Sequence, residues 1–200
     1  IAKQSDMIES QVYMNSLASA KRNTKILYYD CTNYFFEIER QDGMKQYGLS
    51  KENRPNPIVQ MGLFMDGDGL PLAFTLSPGN SNEQLTLKPI EKRIMEDFGL
   101  SKFIVCTDAG LSSVANRKFN SMGDRAYVVT QSIKKLKGHL KEWALSPEGW
   151  GLPGGGKKTS LDAIDDLPDN EAVYYKERWI VEDGLEQRLI VTYSPKYREY

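Results

Sequence analysis

The run ILYYDCTNYFFEI, from Ile26 to Ile38, decides how the chain is read. It is dense in aromatic and β-branched residues and ends near Gln41-Asp42-Gly43, a turn signal. That pattern predicts a long strand, buried on both faces for much of its length. Asp30 stands in its middle. A carboxylate inside an apolar strand costs several kcal/mol unless it is paired or bound to a metal ion. Taken alone, Asp30 fits either a salt bridge or a metal ligand.

Upstream, residues 4–20 predict a lead-in helix with Ile8, Val12 and Met7 on one face, within a first segment of 1–25. Downstream, 41–57 reads as an irregular connection. Ile58 to Met65 is a second strand, Asp66-Gly67-Asp68-Gly69 a hairpin turn, and Leu70 to Leu76 the returning strand. The period then changes: Leu87, Ile90, Ile94 and Phe98 recur at helical spacing, with Thr86 as N-cap, Pro89 in the first turn and Gly99 as stop. Lys102 to Thr107 predicts a short buried strand ending at Asp108-Ala109-Gly110. A helix follows from Ser113, with Ala115, Phe119 and Met122 on one face and Gly123 as its stop, and Arg125 to Gln131 is a fifth strand. The order β-β-β-α-β-α-β gives an α/β fold with a mixed five-stranded sheet, the element order of the RNase H-like fold.

Asp108 lies at the carboxyl end of its strand, where ligands gather in open α/β sheets; its ordinary alternative is a turn or helix cap. In this fold the first and fourth strands are neighbours, so Asp30 and Asp108 can face one space. Two adjacent carboxylates repel, and divalent cations that favour oxygen ligands, Mg²⁺ or Mn²⁺, relieve that repulsion. Strand parity puts Thr32 on the face of Asp30 and Cys106 on the face of Asp108, with Cys31 pointing away. If the aspartates converge, the two cysteines cannot bridge. Both are expected to be reduced and buried. Thr32 is a candidate to orient Asp30.

After Ile133 the character of the sequence changes. Lys134, Lys135, Lys137 and Lys141 crowd together around His139, the one histidine, and can contact phosphates although the net charge is −1. Their alternative is a solvated surface. Ala172 to Val181 and Gln187 to Ser194 flank Glu182-Asp183-Gly184 as a β-hairpin. Trp143, Trp150 and Trp179 are read as packing for a small β subdomain, with stacking on an exposed base as the alternative. GLPGGGKKT (Gly151–Thr159) is close to a phosphate-binding loop, but Lys158 stands where a hydroxyl residue should follow Lys157, and no buried strand precedes it.

The chain has 200 residues, 40% hydrophobic and 26% charged, enough for one substantial domain or a domain with a large insertion. No apolar run approaches the roughly 20 residues of a membrane helix. Two cysteines in this length fit a reducing compartment, the cytoplasm. A single histidine excludes histidine clusters and serine–histidine triads. The start at Ile1 reads as an excised piece.

Three segments, YYDCTNYFFE (Tyr28–Glu37), VQMGLFMDGDGLPLAFTLSPGN (Val59–Asn80) and VCTDAGLSS (Val105–Ser113), together resemble the catalytic core of DDE-type transposases of bacterial insertion sequences. The resemblance runs over about residues 25–200. It implies that Asp30 and Asp108 match the first two acids of the family, holding a two-metal Mg²⁺ or Mn²⁺ site. It implies a partial core over 26–133 and a β-rich insertion over 134–200, the chain ending before the core is completed. The partners implied are transposon-end and target DNA, with a homodimer assembled on the DNA. The implied chemistry is endonucleolytic phosphodiester hydrolysis and strand transfer in DNA transposition. The family's third acid is a glutamate in a helical Tyr–Arg–Glu–Lys signature. Tyr175, Arg178 and Glu182 share part of that spacing, but the segment alternates like a strand and Leu189 stands at the lysine position, so the third acid is expected beyond Tyr200. Two rivals remain: an RNase H-like nuclease without strand transfer, and an inactive DNA-binding or assembly remnant.

Overall fold

The computed structural model describes residues 4–167 and 171–198. It divides into two compact units, Ile1–Gln131 and Ser132–Tyr200, and each has its own hydrophobic cluster.

In the first unit β1 (Ile26–Phe35), β2 (Ile58–Asp66), β3 (Pro71–Pro78), β4 (Ile104–Thr107) and β5 (Ala126–Val129) form one sheet in the order β3-β2-β1-β4-β5. The first three are an antiparallel meander, and β4 and β5 run parallel to β1 and to each other. Helices α2 (Leu87–Asp97) and α3 (Val114–Asn120) make the crossovers, and α1 (Ser5–Ser19) precedes the sheet. This is the RNase H-like arrangement, with the element order expected from the sequence.

β1 differs from expectation. It ends at Phe35, which pairs with Ile58 at the start of β2, so Phe36 to Ile38 have no further strand to join. It is also buried on one face only: Leu27, Tyr29 and Cys31 lie in the core while Tyr28, Asp30 and Thr32 are exposed. The aromatic density misled because Tyr29 alone does the packing of a large residue. Its ring lies over Gly62, where an added Cβ would meet the hydroxyl at 2.0 Å, and its centroid is 4.6 Å from that of Phe64. The hydroxyl pairs with Thr86 Oγ1 at 2.7 Å.

The expected helices are present; α2 buries Leu87, Ile90 and Ile94 as expected, with Phe98 just after it, while α1 and α3 turn other faces inward. In α1, Glu9 and Tyr13 are buried, while Ile8, Val12 and Met7 are exposed. Tyr13 stacks on Phe98 at 4.9 Å, and the Glu9 carboxylate accepts from Phe74 N–H and pairs with Arg93. A directed polar anchor thus sets the rotation of α1 against its scattered apolar residues. Thr86 holds the N-cap position of α2 as expected but makes no side-chain cap: its hydroxyl donates to Glu83 C=O within a 3₁₀ turn, which Asn82 caps. In α3, Asn116 and Asn120 face inward and Met122 is exposed. Asn120 donates to the buried Glu91 of α2 at 2.8 Å, so a polar contact joins the two helices. Gly99 and Gly123 end their helices in the left-handed region, as read.

The second unit contains α4 (Gly138–Leu145), α5 (Leu161–Asp165), β6 (Tyr174–Glu182), β7 (Leu185–Tyr193) and α6 (Pro195–Arg198). β6 and β7 pair antiparallel around Asp183-Gly184, both at positive φ (54° and 75°), the two-residue turn that matches strand twist. Trp150, 3% exposed, packs with Ala144, Ile164, Tyr174 and Val191. Trp143 lies against this cluster, so packing is right for both. Trp179 is 63% exposed and does not pack as expected, because its strand position points away from the cluster.

Candidate metal centre

Asp30 projects from the uncovered face of β1, its side chain 68% exposed. Its charge is solvated, so the cost of a buried carboxylate expected from the sequence does not arise. Oδ1 accepts the Cys31 N–H at 2.8 Å and stands 3.8 Å from the Lys51 ammonium. The orienting group is therefore the next backbone amide and not the Thr32 hydroxyl. Residues two apart on a strand are separated by roughly 7 Å, too far for a short hydroxyl to reach back.

Asp108 follows β4 directly and is also exposed. Its Oδ1 accepts the Gly110 N–H at 3.0 Å and so caps the 3₁₀ turn Ala109–Leu111. The cap reading and the ligand reading hold together here, because a cap occupies one oxygen and leaves the other. The β1–β4 ladder ends with Tyr28 opposite Cys106. Carried two residues further, the same register sets Asp108, just past the end of β4, beside Asp30 in the middle of β1. Beyond these strands the chain goes to opposite sides, β1 toward β2 and β4 toward β5. Ligands gather at the carboxyl ends of strands that diverge in this way, and of the two aspartates Asp108 stands at such an end.

The donor set fits a hard divalent ion. All described contacts of the two carboxylates fall on Oδ1, and each Oδ2 is uncommitted. Among the described residues, no three His, Cys, Asp or Glu side chains gather where they could hold a metal ion. Glu182 closes β6 opposite Leu185 and has Lys137 Nζ 3.4 Å away. The Tyr175–Glu182 segment is a strand, so Tyr175 falls on the opposite face from Arg178 and Glu182, unlike the helical signature.

The thiols are free. Cys31 is buried beneath the sheet, its Sγ 3.6 Å from the Tyr29 hydroxyl, and burial raises both groups' pKa. Cys106 is only half-buried, a departure from expectation, because it shares the uncovered face with Tyr28.

Lys134, Lys135, Lys137 and Lys141 are all exposed, the first two in the 3₁₀ turn Ile133–Lys135 and the last in α4. Lys137, the exposed His139 and the Arg178–Glu182 stretch of β6 border a groove of ≈ 220 Å³. Lys51 was missed by sequence reading. Nothing in the local pattern of 41–57 says that its side chain returns to β1.

No family model matches the chain, and no curated protein does. Among solved structures, it is similar to the catalytic domain of Mos1 mariner transposase (11% identity, TM-score 0.38, 64% of this chain and 59% of that one). It is similar to the Mos1 mariner paired-end complex with Mn (10%, 0.34, 62% and 41%). It is also similar to the piggyBac transposase synaptic complex with hairpin DNA (11%, 0.45, 84% and 32%). These are transposases. At such identities the likeness is one of fold, and nothing about activity passes from them to this chain. The chain spans between 32% and 59% of their lengths. No helix among the described residues is long and apolar enough to cross a membrane.

Proposed function

We propose that this chain is part of the catalytic core of a DDE-type DNA transposase of a bacterial insertion sequence, acting in the cytoplasm. The reading is supported by the parallel β1–β4 register, which, continued two residues past Tyr28 and Cys106, brings Asp30 and Asp108 side by side, and by an uncommitted oxygen on each. A pair of Mg²⁺ or Mn²⁺ ions bound there supplies activation of an attacking water or 3′-hydroxyl and stabilisation of the leaving oxygen. The chain's own part is to hold the two carboxylates. The Cys31 amide fixes Asp30 and the Gly110 amide fixes Asp108, so both are aimed before metal or DNA arrives. No side-chain nucleophile is needed for phosphodiester hydrolysis or strand transfer. In this reading residues 134–200 form an insertion that contacts DNA, and the assembly on transposon ends is a homodimer.

Two carboxylates alone fix metals poorly, and a small displacement of reacting groups costs roughly 10²-fold in rate. On DNA carrying the element's ends, with Mn²⁺, nicking by the 200-residue chain is expected near background. A form extended past Tyr200 in its reading frame is expected to leave 3′-hydroxyl ends and to lose that activity in Asp30→Asn and Asp108→Asn. Robust cutting by the chain itself, abolished by Glu182→Ala, would place the third acid at Glu182. The absence of a third ligand among the described residues favours a second reading, a non-catalytic DNA-binding remnant. Under it the extended form does not cut either.

The lysine cluster gives a separate expectation. Binding to a short duplex should weaken linearly in log–log salt, with a slope of about −0.9 per phosphate contacted. Replacing Lys134 and Lys135 by Ala should reduce the slope by up to about 2 and affect all sequences alike. An unchanged slope in fluorescence anisotropy would remove them from the interface.

A further inference from the structure

We propose that Lys51 is a positioning residue that holds Asp30 while no metal is bound and competes with the divalent ion for that carboxylate. The inference rests on the reading of Asp30 as a metal ligand. Lys51 sits in a formed turn: Asn53 N–H donates to Ser50 C=O at 3.1 Å, Asn53 adopts φ 55°, and Ser50 is buried. From there its ammonium crosses back to β1 and makes two contacts. It donates to the Cys31 carbonyl and lies 3.8 Å from Asp30 Oδ1.

Each contact explains the other. Cys31 lies beyond the end of the β1–β4 ladder, and side chains serve its peptide groups: Asp30 takes the N–H and Lys51 serves the C=O. A strongly hydrated lysine head is thereby fixed to backbone and does not sweep through solvent. A divalent ion arriving at Asp30 meets this cation beside the same carboxylate. The pair is half exposed, with Lys51 46% and Asp30 68% accessible, so the competition is a surface electrostatic effect that salt screens.

Two effects of removing Lys51 oppose each other. Loss of an ion-pair neighbour loosens Asp30, but the Cys31 amide still holds Oδ1. Loss of a unit charge close to a doubly charged ion removes a direct repulsion, and this term is the larger at such a distance. The metal should therefore bind more tightly.

The test is a Mn²⁺ titration of the 200-residue chain by electron paramagnetic resonance at low salt, with no DNA present. Lys51→Met is expected to bind Mn²⁺ about three- to tenfold more tightly than the unchanged chain, with a difference that shrinks at 0.5 M salt. Lys51→Arg, which keeps the charge, is expected to match the unchanged chain. Asp30→Asn should lose the site in either background. Unchanged or weaker binding in Lys51→Met, with Asp30→Asn still deleterious, overturns the role of Lys51 alone. Binding that ignores Asp30→Asn, or that is absent from both the unchanged chain and Lys51→Met, overturns the metal-site reading beneath it. Circular dichroism of Lys51→Met, expected to match the unchanged chain, separates the effect from misfolding.

Discussion

Asp66→Ala is expected to destabilise the first unit by about 4 kcal/mol, the range for breaking a buried ion pair by removing one partner. Asp66 ends β2, and its side chain is fully buried. One carboxylate oxygen accepts the N–H groups of Asp68 and Leu70 at 3.1 and 2.9 Å, which closes the hairpin turn into β3. The other takes Arg22, itself 6% exposed, whose guanidinium also donates to Ser16 Oγ of α1 and to the carbonyls of Leu70 and Pro71. Removal of the carboxylate leaves two turn amides and a buried guanidinium short of their anion. Asp66→Asn should cost less, since an amide oxygen can still accept from the turn. Urea unfolding followed by far-ultraviolet circular dichroism measures both. A loss below about 1 kcal/mol for Asp66→Ala would mean that Arg22 finds water or another partner.

Glu91→Gln is expected to stabilise the protein by about 3 kcal/mol at pH 8 relative to its effect at pH 4.5. Glu91 is fully buried on α2, and desolvation pushes its pKa up from 4.5 to about 7, against the lowering effects of Asn120, Arg125 and Lys88. Because the folded value is the higher one, the folded state holds the proton while the unfolded chain releases it. The favourable contribution is complete below pH 4.5 and is lost as the pH rises through about 7. Glutamine keeps the oxygen that accepts from Asn120 at 2.8 Å and never ionises. Unfolding free energies of the two proteins should coincide, or run parallel, at acid pH and diverge between pH 4.5 and 8. Parallel profiles over the whole range would show that Glu91 ionises without cost in the folded state.

These two sites mark where sequence reading stopped. Turns and periods are local, so the Asp66–Gly69 hairpin, the Asp183-Gly184 turn and the alternation of strands and helices were legible, and with them the sheet order. Parity along β1 was enough to put Asp30 on the open face and Cys31 in the core. Hydrophobicity failed where polar contacts choose the face. α1 turns Glu9 inward to reach Arg93, and α3 turns Asn120 inward to reach Glu91, against what their apolar residues favoured. It failed again at β1, where aromatic side chains on an open face looked like core. Lys51 and Arg22 reach their partners across 20 and 44 residues, and no spacing rule encodes such returns.

The most direct test of the central claim is the position of Mn²⁺ in a crystal of the chain, located by its anomalous scattering. A peak contacted by both Asp30 and Asp108 is expected, with the two carboxylates about 4–7 Å apart, as ions roughly 3.5–4 Å from each other require. Carboxylates that point to opposite faces of the sheet, or Mn²⁺ bound elsewhere while both aspartates stay free of it, would contradict the claim.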